Sequence, residues 1–438
     1  MVNNRKAEPR GFFDLLILFA SSSLLISCAA REPGIDRTNI ERIITALASD
    51  DMEGRGIFTD GIERAAAFLE DEFDRIGLGK LNGENGYRQS FPYYSFSLRE
   101  HLIVVGDEAA GSDEFFLTGS HDSIRWSTGD DVVIHRVKRD DNFRALFRQL
   151  RNSAVDNLII VDFSQEKAFR RYHGIFGRRS RSKTINEGNS NVYVLSPFID
   201  SDRFEISIDR DVEKLELTNI VGQIKGKREN EFVLFSAHYD HLGIVDPIDG
   251  DSIANGANDD ASGTTAVVAL AQHFAHSPQP ERTILFALFT AEESGGMGSQ
   301  HFASKLDPDQ IVAMFNIEMI GKPAVEGPNT AWITGFERSS FGQILQGAVE
   351  GSPYKFYPDP YPDEDLFFRS DNATLARLGV PAHSISTTPI DVDKDYHQVS
   401  DEVSTLDLDH MTNTIRAIEA ASSTIISGEA TPTRISIE

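Results

Sequence analysis

Several histidines and carboxylates of this chain stand where a run of apolar residues stops. Such runs predict buried strands, and ligands of open α/β sheets collect just beyond the carboxyl ends of the strands. A carboxylate is costly to bury there unless it is paired or binds a metal ion. The pattern therefore indicates a metal centre at one edge of a sheet. The residues are His238 and Asp240 after residues 232–237, Glu292 and Glu293 after residues 283–291, and Glu318 after residues 311–317.

Asp259 and His397 extend this donor set. Asp259 lies in a Gly-rich turn, residues 255–263, that opens a predicted helix, and His397 lies in a polar loop at residues 391–401. Two imidazoles and several carboxylates without a thiolate suit zinc, with cobalt or manganese as substitutes. A pair of metal ions needs a bridging carboxylate, and the short side chain of Asp259 in a rigid turn fits that task.

The elements that would position these residues alternate between strand and helix. Helices are predicted to begin near residues 38, 61, 264 and 406, where apolar residues recur at three- and four-residue spacing. Residues 219–224 and 232–237 are expected to pair as strands across a polar turn. Residues 283–291 form a nearly continuous apolar run, which is typical of a central strand buried on both faces. This alternation favours a mostly parallel sheet with helices on both faces.

Five short motifs occur in an order that resembles the co-catalytic di-zinc exopeptidase family, which includes bacterial aminopeptidases and glutamate carboxypeptidases. Any one motif is weak, but all five in the family's order are specific. The resemblance covers roughly residues 38–92 and 214–425, and it implies a three-layer αβα zinc-exopeptidase fold. The motifs are His238-Tyr-Asp240, Gly256-Ala-Asn-Asp-Asp-Ala-Ser-Gly263, Glu292-Glu293, Asn316-Ile-Glu-Met-Ile-Gly321 and Asp395-Tyr-His397.

The resemblance implies two zinc ions per chain. Asp259 would bridge them. His238 and Glu318 would complete one zinc site, and Glu293 and His397 would complete the other. The family commonly has Asp where this chain has Glu318, so the longer side chain leaves the geometry of that site open.

The resemblance also implies roles for residues that do not bind metal. Glu292 would be the general base, passing a proton from the attacking water to the leaving amine. Asp240 would lie behind His238 and orient its ring. Tyr396 matches a family tyrosine that can stabilise the oxyanion, with simple packing as the alternative. His241 is expected to be structural, because the family keeps it without using it as a ligand.

The function that follows is a zinc-dependent exopeptidase acting on peptides, and most readily an aminopeptidase. One alternative is an acyltransferase of the glutaminyl-cyclase type with a single zinc, although His238 and Glu318 would then be superfluous. A second alternative is a non-catalytic binding protein, which the complete set of base and ligands disfavours. The sequence does not separate aminopeptidase from carboxypeptidase activity.

Residues 93–213 have a different pattern of predicted elements from the flanking segments, which are residues 29–92 and 214–426, and from the tail at 427–438. They combine short predicted strands with one helix, so we interpret them as an inserted small α+β or β-rich domain. No specific motif ties this domain to the protease-associated domain that some relatives carry.

Ser120-His121-Asp122 is interpreted as a surface turn, because adjacent residues rarely form a catalytic array. A basic cluster, interpreted as a solvated loop, comprises Arg170, Arg171, Arg178, Arg179, Arg181 and Lys183.

The first 28 residues resemble a bacterial lipoprotein signal. Arg5, Lys6 and Arg10 precede an apolar run at 15–26 that is too short to span a membrane comfortably. The one cysteine of the chain, Cys28, follows this run where the lipidated residue would be. We therefore expect a lipid anchor and a location in the bacterial cell envelope, at the periplasmic or outer-membrane face. An ordinary secretory signal or an uncleaved anchor are the alternatives.

The charge of the chain excludes one class of partner. The formal net charge of the 438 residues is −26. A surface this acidic repels nucleic acid and anionic lipid, so no nucleic-acid partner is expected.

Overall fold

The computed structural model describes residues 1–3, 34–81, 83–151, 153–177 and 179–436. Residues 4–28 of the predicted signal segment, with Cys28, lie outside these residues. Within the described ranges, no helix is both long enough and apolar enough to cross a membrane.

The described ranges contain nine α-helices, which are α1 (Arg37–Leu47), α2 (Asp60–Ile76), α3 (Phe143–Leu150), α4 (Glu166–Phe176), α5 (Gly263–Ala275), α6 (Met297–Ala303), α7 (Phe341–Ala348), α8 (Asn372–Ala376) and α9 (Leu408–Ile426). Helix α2 shows how the ends are fixed. The Thr59 hydroxyl accepts a hydrogen bond from the Ile62 amide, and Gly77 ends the helix in the left-handed conformation at a φ of 81°. Helix α4 is missing from the predicted helices, although Phe169, Tyr172 and Phe176 recur at three- and four-residue spacing and pack in one core.

The strands of the same ranges are β1 (Arg88–Val105), β2 (Glu108–Ala109), β3 (Phe115–Thr118), β4 (Ser123–Ser127), β5 (Val133–Val137), β6 (Asn157–Val161), β7 (Arg179–Ser182), β8 (Asn191–Leu195), β9 (Phe204–Ile224), β10 (Arg228–His238), β11 (Gly243–Ile248), β12 (Asp251–Ala254), β13 (Arg282–Phe289), β14 (Ile311–Ile317), β15 (Thr330–Ile333), β16 (Lys355–Pro358) and β17 (Ala382–Ser386). The short β11 and β12 pair only with each other among the described residues.

The central sheet has the strand order β16-β15-β17-β14-β10-β13-β9-β1-β2. Its middle strands, β17, β14, β10 and β13, are parallel. At one side β9 runs antiparallel to β13, and β1 runs antiparallel to β9. The predicted mixed α/β fold with a large, mostly parallel sheet is therefore confirmed. The carboxyl ends of β10, β13 and β14 meet at one edge of the sheet.

The predicted pairing of residues 219–224 with residues 232–237 is wrong. Strand β13 lies between β9 and β10 and pairs with both. Every residue of β13 is buried, so this strand needs a neighbour on each side. The short connection from β9 to β10 therefore passes the position of β13 instead of forming a hairpin.

The two faces of the sheet are covered by different helices. On β10, the side chains of Val233 and Phe235 pack in a core that includes α1, α2, α5, α7 and α9. Leu234, between them, points to the opposite core, which includes α6 and α8. This alternation follows from the two-residue period of a strand, and it gives the three layers that the sequence indicates.

Strands β1 and β9 form a long antiparallel ribbon, paired from Arg88 with Ile220 to Val105 with Phe204. The segment of the chain between β1 and β9 forms a second sheet of strand order β3-β8-β6-β5. Helices α3 and α4 lie in the same segment. This unit combines helices and strands. Its Ser120 and His121 do not bond to each other, because the Ser120 hydroxyl donates to the Glu187 carbonyl and His121 Nδ1 lies 3.1 Å from the Ser190 hydroxyl.

Candidate metal centre

The strand ends bring the predicted donors together. Strand β10 ends on His238, the turn after β13 carries Glu292 and Glu293, and Glu318 directly follows β14. Because β10 lies between β13 and β14, these side chains are neighbours. The turn at Ala257–Ser262, in which Asp259 has an extended backbone with φ of −108° and ψ of 100°, brings Asp259 to the same place ahead of α5.

One cluster of donors forms around His238. Its Nε2 lies 3.3 Å from Asp259 Oδ1 and 3.3 Å from Glu318 Oε1. The side chains of His238 and Asp259 are almost fully buried, and that of Glu318 is 18% exposed. The ligand atoms of the three residues lie within 4.8 Å of one another, which is close enough to hold one metal ion.

A second cluster forms at the other oxygen of Asp259. Oδ2 of Asp259 lies 3.2 Å from His397 Nε2, and Glu293 Oε1 lies 3.3 Å from the same nitrogen. Asp259 therefore presents one carboxylate oxygen to each cluster. A bridging ligand between two metal ions requires this arrangement.

His241 lies in the second cluster as well. Its Nδ1 is 3.0 Å from Glu293 Oε1 and 3.9 Å from Asp259 Oδ2, and with these two residues it forms a group that could hold a metal ion. The ring is buried, and neither of its nitrogens makes a well-aligned hydrogen bond in the described part of the chain. The sequence expectation of a structural role does not account for this position.

The charges of the clusters favour bound cations. Burial alone lowers the pKa of His238, but the carboxylates of Glu318 and Asp259 raise this pKa well above its ordinary value. The carboxylates of Asp259 and Glu293, within 3.3 Å of Nε2, raise the pKa of His397 to about 10. Both imidazole Nε2 atoms therefore lie where positive charge is stabilised, and a metal ion would take the place of the proton.

Glu292 belongs to neither cluster. Its side chain lines the cavity beside them, and burial raises the pKa of its carboxyl well above the ordinary range. A carboxyl group with a raised pKa, next to candidate metal ligands, is suited to accept and return a proton.

Asp240 acts on its surroundings through two different groups. Its main-chain carbonyl lies 3.1 Å from His238 Nδ1, whereas its carboxylate Oδ1 is 3.8 Å from the same nitrogen. Oδ1 instead accepts a hydrogen bond of 3.0 Å from the Glu292 amide. The ring of His238 is thus oriented by the carbonyl, and the carboxylate fixes the turn that carries Glu292 and Glu293.

Two further buried carboxylates, Asp260 and Asp401, were not singled out from the sequence. Asp260 accepts hydrogen bonds from the amides of His238, Gly263 and Met319 at 2.9 to 3.3 Å. Asp401 accepts from the amides of Asn258 and Asp259 at 2.9 to 3.1 Å. Asp260 lies in the Gly-rich turn at 255–263, and Asp401 lies in the polar loop at 391–401. No local sequence pattern distinguishes a carboxylate that accepts hydrogen bonds from amides from one that binds metal.

The clusters line one wall of a cavity of about 290 Å³. Tyr396 also lines it, with its ring stacked on His397 at a centroid distance of 4.0 Å. Burial raises the pKa of Tyr396 above its ordinary value, so the phenol keeps its proton and can donate a hydrogen bond. Four apolar side chains also line the cavity, those of Met319, Trp332, Leu366 and Ile390.

The residues present fit a zinc centre. The donors are imidazole nitrogens and carboxylate oxygens, which zinc accepts in tetrahedral or five-coordinate sites. Buried polar atoms at the site, among them both nitrogens of His241 and Oε1 of Glu293, lack a hydrogen-bond partner in the described chain. Buried polar atoms normally have partners, so their absence here points to ligands for a cation.

The fold and the site define an α/β protein with a candidate two-metal centre at the carboxyl edge of its sheet. Comparison with known proteins identifies the domain: residues 219–422 match the model of Peptidase family M28, and the chain contains a domain of this family.

Three known proteins are similar to this chain. A probable zinc metalloprotease of Pyrenophora tritici-repentis is 36% identical over 125 residues, 28% of this chain and 28% of that protein. Leucine aminopeptidase 1 of Penicillium rubens is 30% identical over 212 residues, 44% of this chain and 52% of that protein. The structure of a zinc aminopeptidase from Bacillus subtilis superposes with a TM-score of 0.54 and 15% identity, covering 93% of this chain and 100% of the other, which shows a shared fold. The chain thus spans between about a quarter and about half of the two sequence relatives.

Proposed function

We propose that this protein is a two-zinc exopeptidase, and specifically an aminopeptidase that removes N-terminal residues from peptides. The observation that carries this proposal is the position of Asp259, whose two oxygens belong to two different donor clusters beside Glu292. His238, Asp259 and Glu318 would hold one zinc ion, and Asp259, Glu293 and His397 the other. His241 is a further candidate donor at the second position.

The side chains around the cavity supply the steps of hydrolysis. Bound zinc would polarise the scissile carbonyl and acidify the attacking water. Glu292 accepts the proton of that water and returns it to the nitrogen of the leaving amine. The Tyr396 hydroxyl donates a hydrogen bond to the carbonyl oxygen as negative charge develops on it.

Charge favours the amino end of the substrate. Four carboxylates line the cavity, those of Asp259, Glu292, Glu293 and Glu318, and Arg369 is the one Lys or Arg among the described lining residues. Two bound zinc ions would offset the charge of Asp259, Glu293 and Glu318, so Glu292 is the carboxylate that attracts an ammonium group and repels a carboxylate. The apolar residues of the lining suit an uncharged side chain, in agreement with the similarity to a leucine aminopeptidase.

Glu292→Gln tests the proposal. The variant should bind zinc like the wild type and lose most of its activity, on the order of a thousandfold, because the amide cannot accept the proton. Zinc content and hydrolysis should be measured together on aminoacyl, N-blocked and C-terminal peptide substrates. Loss of zinc from the variant, or no hydrolysis by the zinc-loaded wild type, would contradict it. Cyclisation of N-terminal glutamine without peptide hydrolysis would favour the acyltransferase alternative.

We further propose that Cys28 carries a lipid and anchors the protein in the bacterial cell envelope. The support is the sequence pattern around this one cysteine. Cys28→Ser should move the protein from the membrane fraction to the soluble fraction of the producing bacterium. An unchanged distribution would contradict lipid attachment.

A further inference from the structure

Strand β7 of the inserted unit and the residue that follows it, Lys183, present three cations on one face. Arg179, Arg181 and Lys183 alternate with Ser180 and Ser182, so their side chains leave the strand on the same side. The guanidinium of Arg181 lies 4.9 Å from the centre of the Phe58 ring, and the Lys183 ammonium donates to the Gln300 carboxamide oxygen. These two contacts turn the basic face of β7 toward the peptidase part of the molecule.

These three cations have no carboxylate partner within the described residues, and all three are exposed. Some basic residues of the same unit are paired, as Arg170 is with Asp113 and Arg203 with Asp107, whereas Arg171 has no ion pair among the described residues either. The basic face of β7 differs from Arg171 because Arg181 and Lys183 contact the peptidase part of the molecule. The face is therefore available to an anion that approaches from outside.

The register of the strands places β7 on the edge of the sheet that carries the metal centre. Leu288 pairs with Ile220, which pairs with Arg88, and β7 pairs with β1 from Tyr94 onward. At about 3.3 Å per residue, the ribbon carries β7 about 20 Å beyond the level of Leu288, past the end of β13. Glu292 lies beyond the same strand end.

A chain of hydrogen bonds joins β7 to the wall of the cavity. Gln300, which accepts the bond from Lys183, donates a bond of 2.7 Å from its Nε2 to the Gly295 carbonyl. Gly295 lies in the turn of Glu292 and Glu293 and lines the cavity. The basic face of β7 therefore lies next to the cavity wall at Gly295.

The strand order gives the direction in which the two halves of a substrate extend. Trp332 on β15, with Ser384 and Ser386 on β17, lines the cavity on one side of the metal centre. Strand β13, which delivers Glu292, lies on the other side, followed by β9, β1 and β7. Glu292 returns its proton to the leaving amine, so the departing peptide begins on the β7 side.

We propose that Arg181 and Lys183 bind the carboxylate of the departing peptide and so direct the enzyme to short peptides that carry a negative charge after the scissile bond. This inference rests on the proposed exopeptidase function. The carboxylate can be the free C-terminus of the peptide or the side chain of Asp or Glu. Each added positive charge attracts it through a solvent-exposed, salt-sensitive interaction.

Four substrates with N-terminal leucine test the inference: leucine p-nitroanilide, Leu-Gly-Gly, Leu-Gly-Gly-amide and Leu-Gly-Asp-amide. In Arg181→Gln/Lys183→Gln, kcat/KM for Leu-Gly-Gly should fall about five- to tenfold, while the values for the anilide and Leu-Gly-Gly-amide stay within about twofold. A matching fall for Leu-Gly-Asp-amide would assign the site to any carboxylate, and its absence would assign it to the C-terminus. Arg171→Gln, in α4 and also without an ion pair among the described residues, is the matched control and should change none of the four values.

The charge-conserving variant Arg181→Lys/Lys183→Arg should keep the selectivity of the wild type. An equal fall for all four substrates, or an unchanged ratio between Leu-Gly-Gly and its amide, would overturn the anion site while leaving the peptidase intact. A wild type that hydrolyses none of the four with zinc bound would overturn the proposed function and the inference together.

Discussion

A single hydroxyl holds Glu318 in place. Oε1 of Glu318 faces His238, and Oε2 accepts a hydrogen bond of 2.6 Å from the Ser370 hydroxyl. A carboxylate that is held in this way loses less freedom when it binds a metal ion, and such supporting bonds typically change metal affinity 10- to 100-fold.

Ser370→Ala should therefore weaken the binding of one zinc ion by about tenfold or more. Competition with a coloured chelator measures this affinity. Ser423→Ala, on α9, is the matched control, because that hydroxyl only bonds to the carbonyl of Ala420 within its own helix. Equal zinc affinity in both variants would show that Glu318 needs no support or is not a ligand.

His383 should make stability depend on pH. Its ring is buried between Phe341 and Phe367, Nδ1 lies 2.8 Å from the Thr334 carbonyl, and Nε2 lies 2.7 Å from the Ser339 hydroxyl. Burial lowers the pKa of His383 from 6.5 to about 4, and the nearby charge of Arg338 adds to this effect. Between these two values the unfolded chain binds more protons than the folded one, so stability falls as the pH falls through this window.

The comparison of wild type with His383→Gln isolates this effect. The free energy of unfolding by urea, measured at pH 7 and pH 4.5, should show the advantage of the wild type shrinking by about 2 kcal/mol at the lower pH. His276→Gln, at an exposed histidine, should show no such change. A constant difference between wild type and His383→Gln would mean that folding does not lower the pKa of this ring.

Some residues of the site can be predicted from the sequence, and others cannot. His238, Glu292 and Glu318 can be found because each follows an apolar run that the two-residue period identifies as a strand. Ser370 cannot, since it lies 52 residues from Glu318 in the chain and nothing near it marks the contact. The same holds for His241, whose place beside Glu293 depends on the path of the chain after β10.

The elements around the site are tied together by one buried side chain, that of Arg55. Its guanidinium donates hydrogen bonds of 2.6 to 2.8 Å to the carbonyls of Leu47, Tyr239, Asn255 and Gly256. These carbonyls belong to the end of α1, the end of β10 and the turn that leads to Asp259. Arg55 therefore joins the elements that deliver two of the candidate ligands.

Arg55→Met should destabilise the fold by about 4 kcal/mol or more, because four buried carbonyls lose their donors while the side-chain volume is kept. Unfolding by urea measures this change. Arg64→Met is the control: Arg64 is about half exposed and pairs with Glu53 at 3.0 Å, so its loss should cost less than about 1 kcal/mol. Similar losses in the two variants would show that the carbonyls find other partners.

The elements themselves were predicted where their patterns are local. The helices α1, α2, α5 and α9 carry continuous apolar faces, and the caps of α2 can be read from Thr59 and Gly77. The order of the strands cannot be read in this way, because β13 enters between β9 and β10 from more than forty residues further along the chain. Pairing between strands depends on contacts of this kind, which periodicity does not record.

At the level of the whole molecule, buried negative charge sets a requirement for cations. The chain has a net charge of −26, and carboxylates gather at the edge of the sheet where β10, β13 and β14 end. Asp240 and Asp371 each have a carboxylate oxygen without a hydrogen-bond partner in the described chain, and burial raises the pKa of Asp371 to about 7. Buried like charges destabilise a fold unless cations offset them.

Removal of zinc should therefore lower the melting temperature by several degrees, and titration with zinc should restore it at two ions per chain. Binding at a concentration 100 times the dissociation constant contributes about 2.7 kcal/mol per site. Asp259→Asn should weaken both sites, because each cluster uses one oxygen of this carboxylate, whereas Glu318→Gln should weaken one and leave the other filled. Scanning calorimetry with zinc analysis separates these outcomes: restoration at one ion per chain, or equal effects of the two variants, would show that the clusters do not form a pair bridged by Asp259.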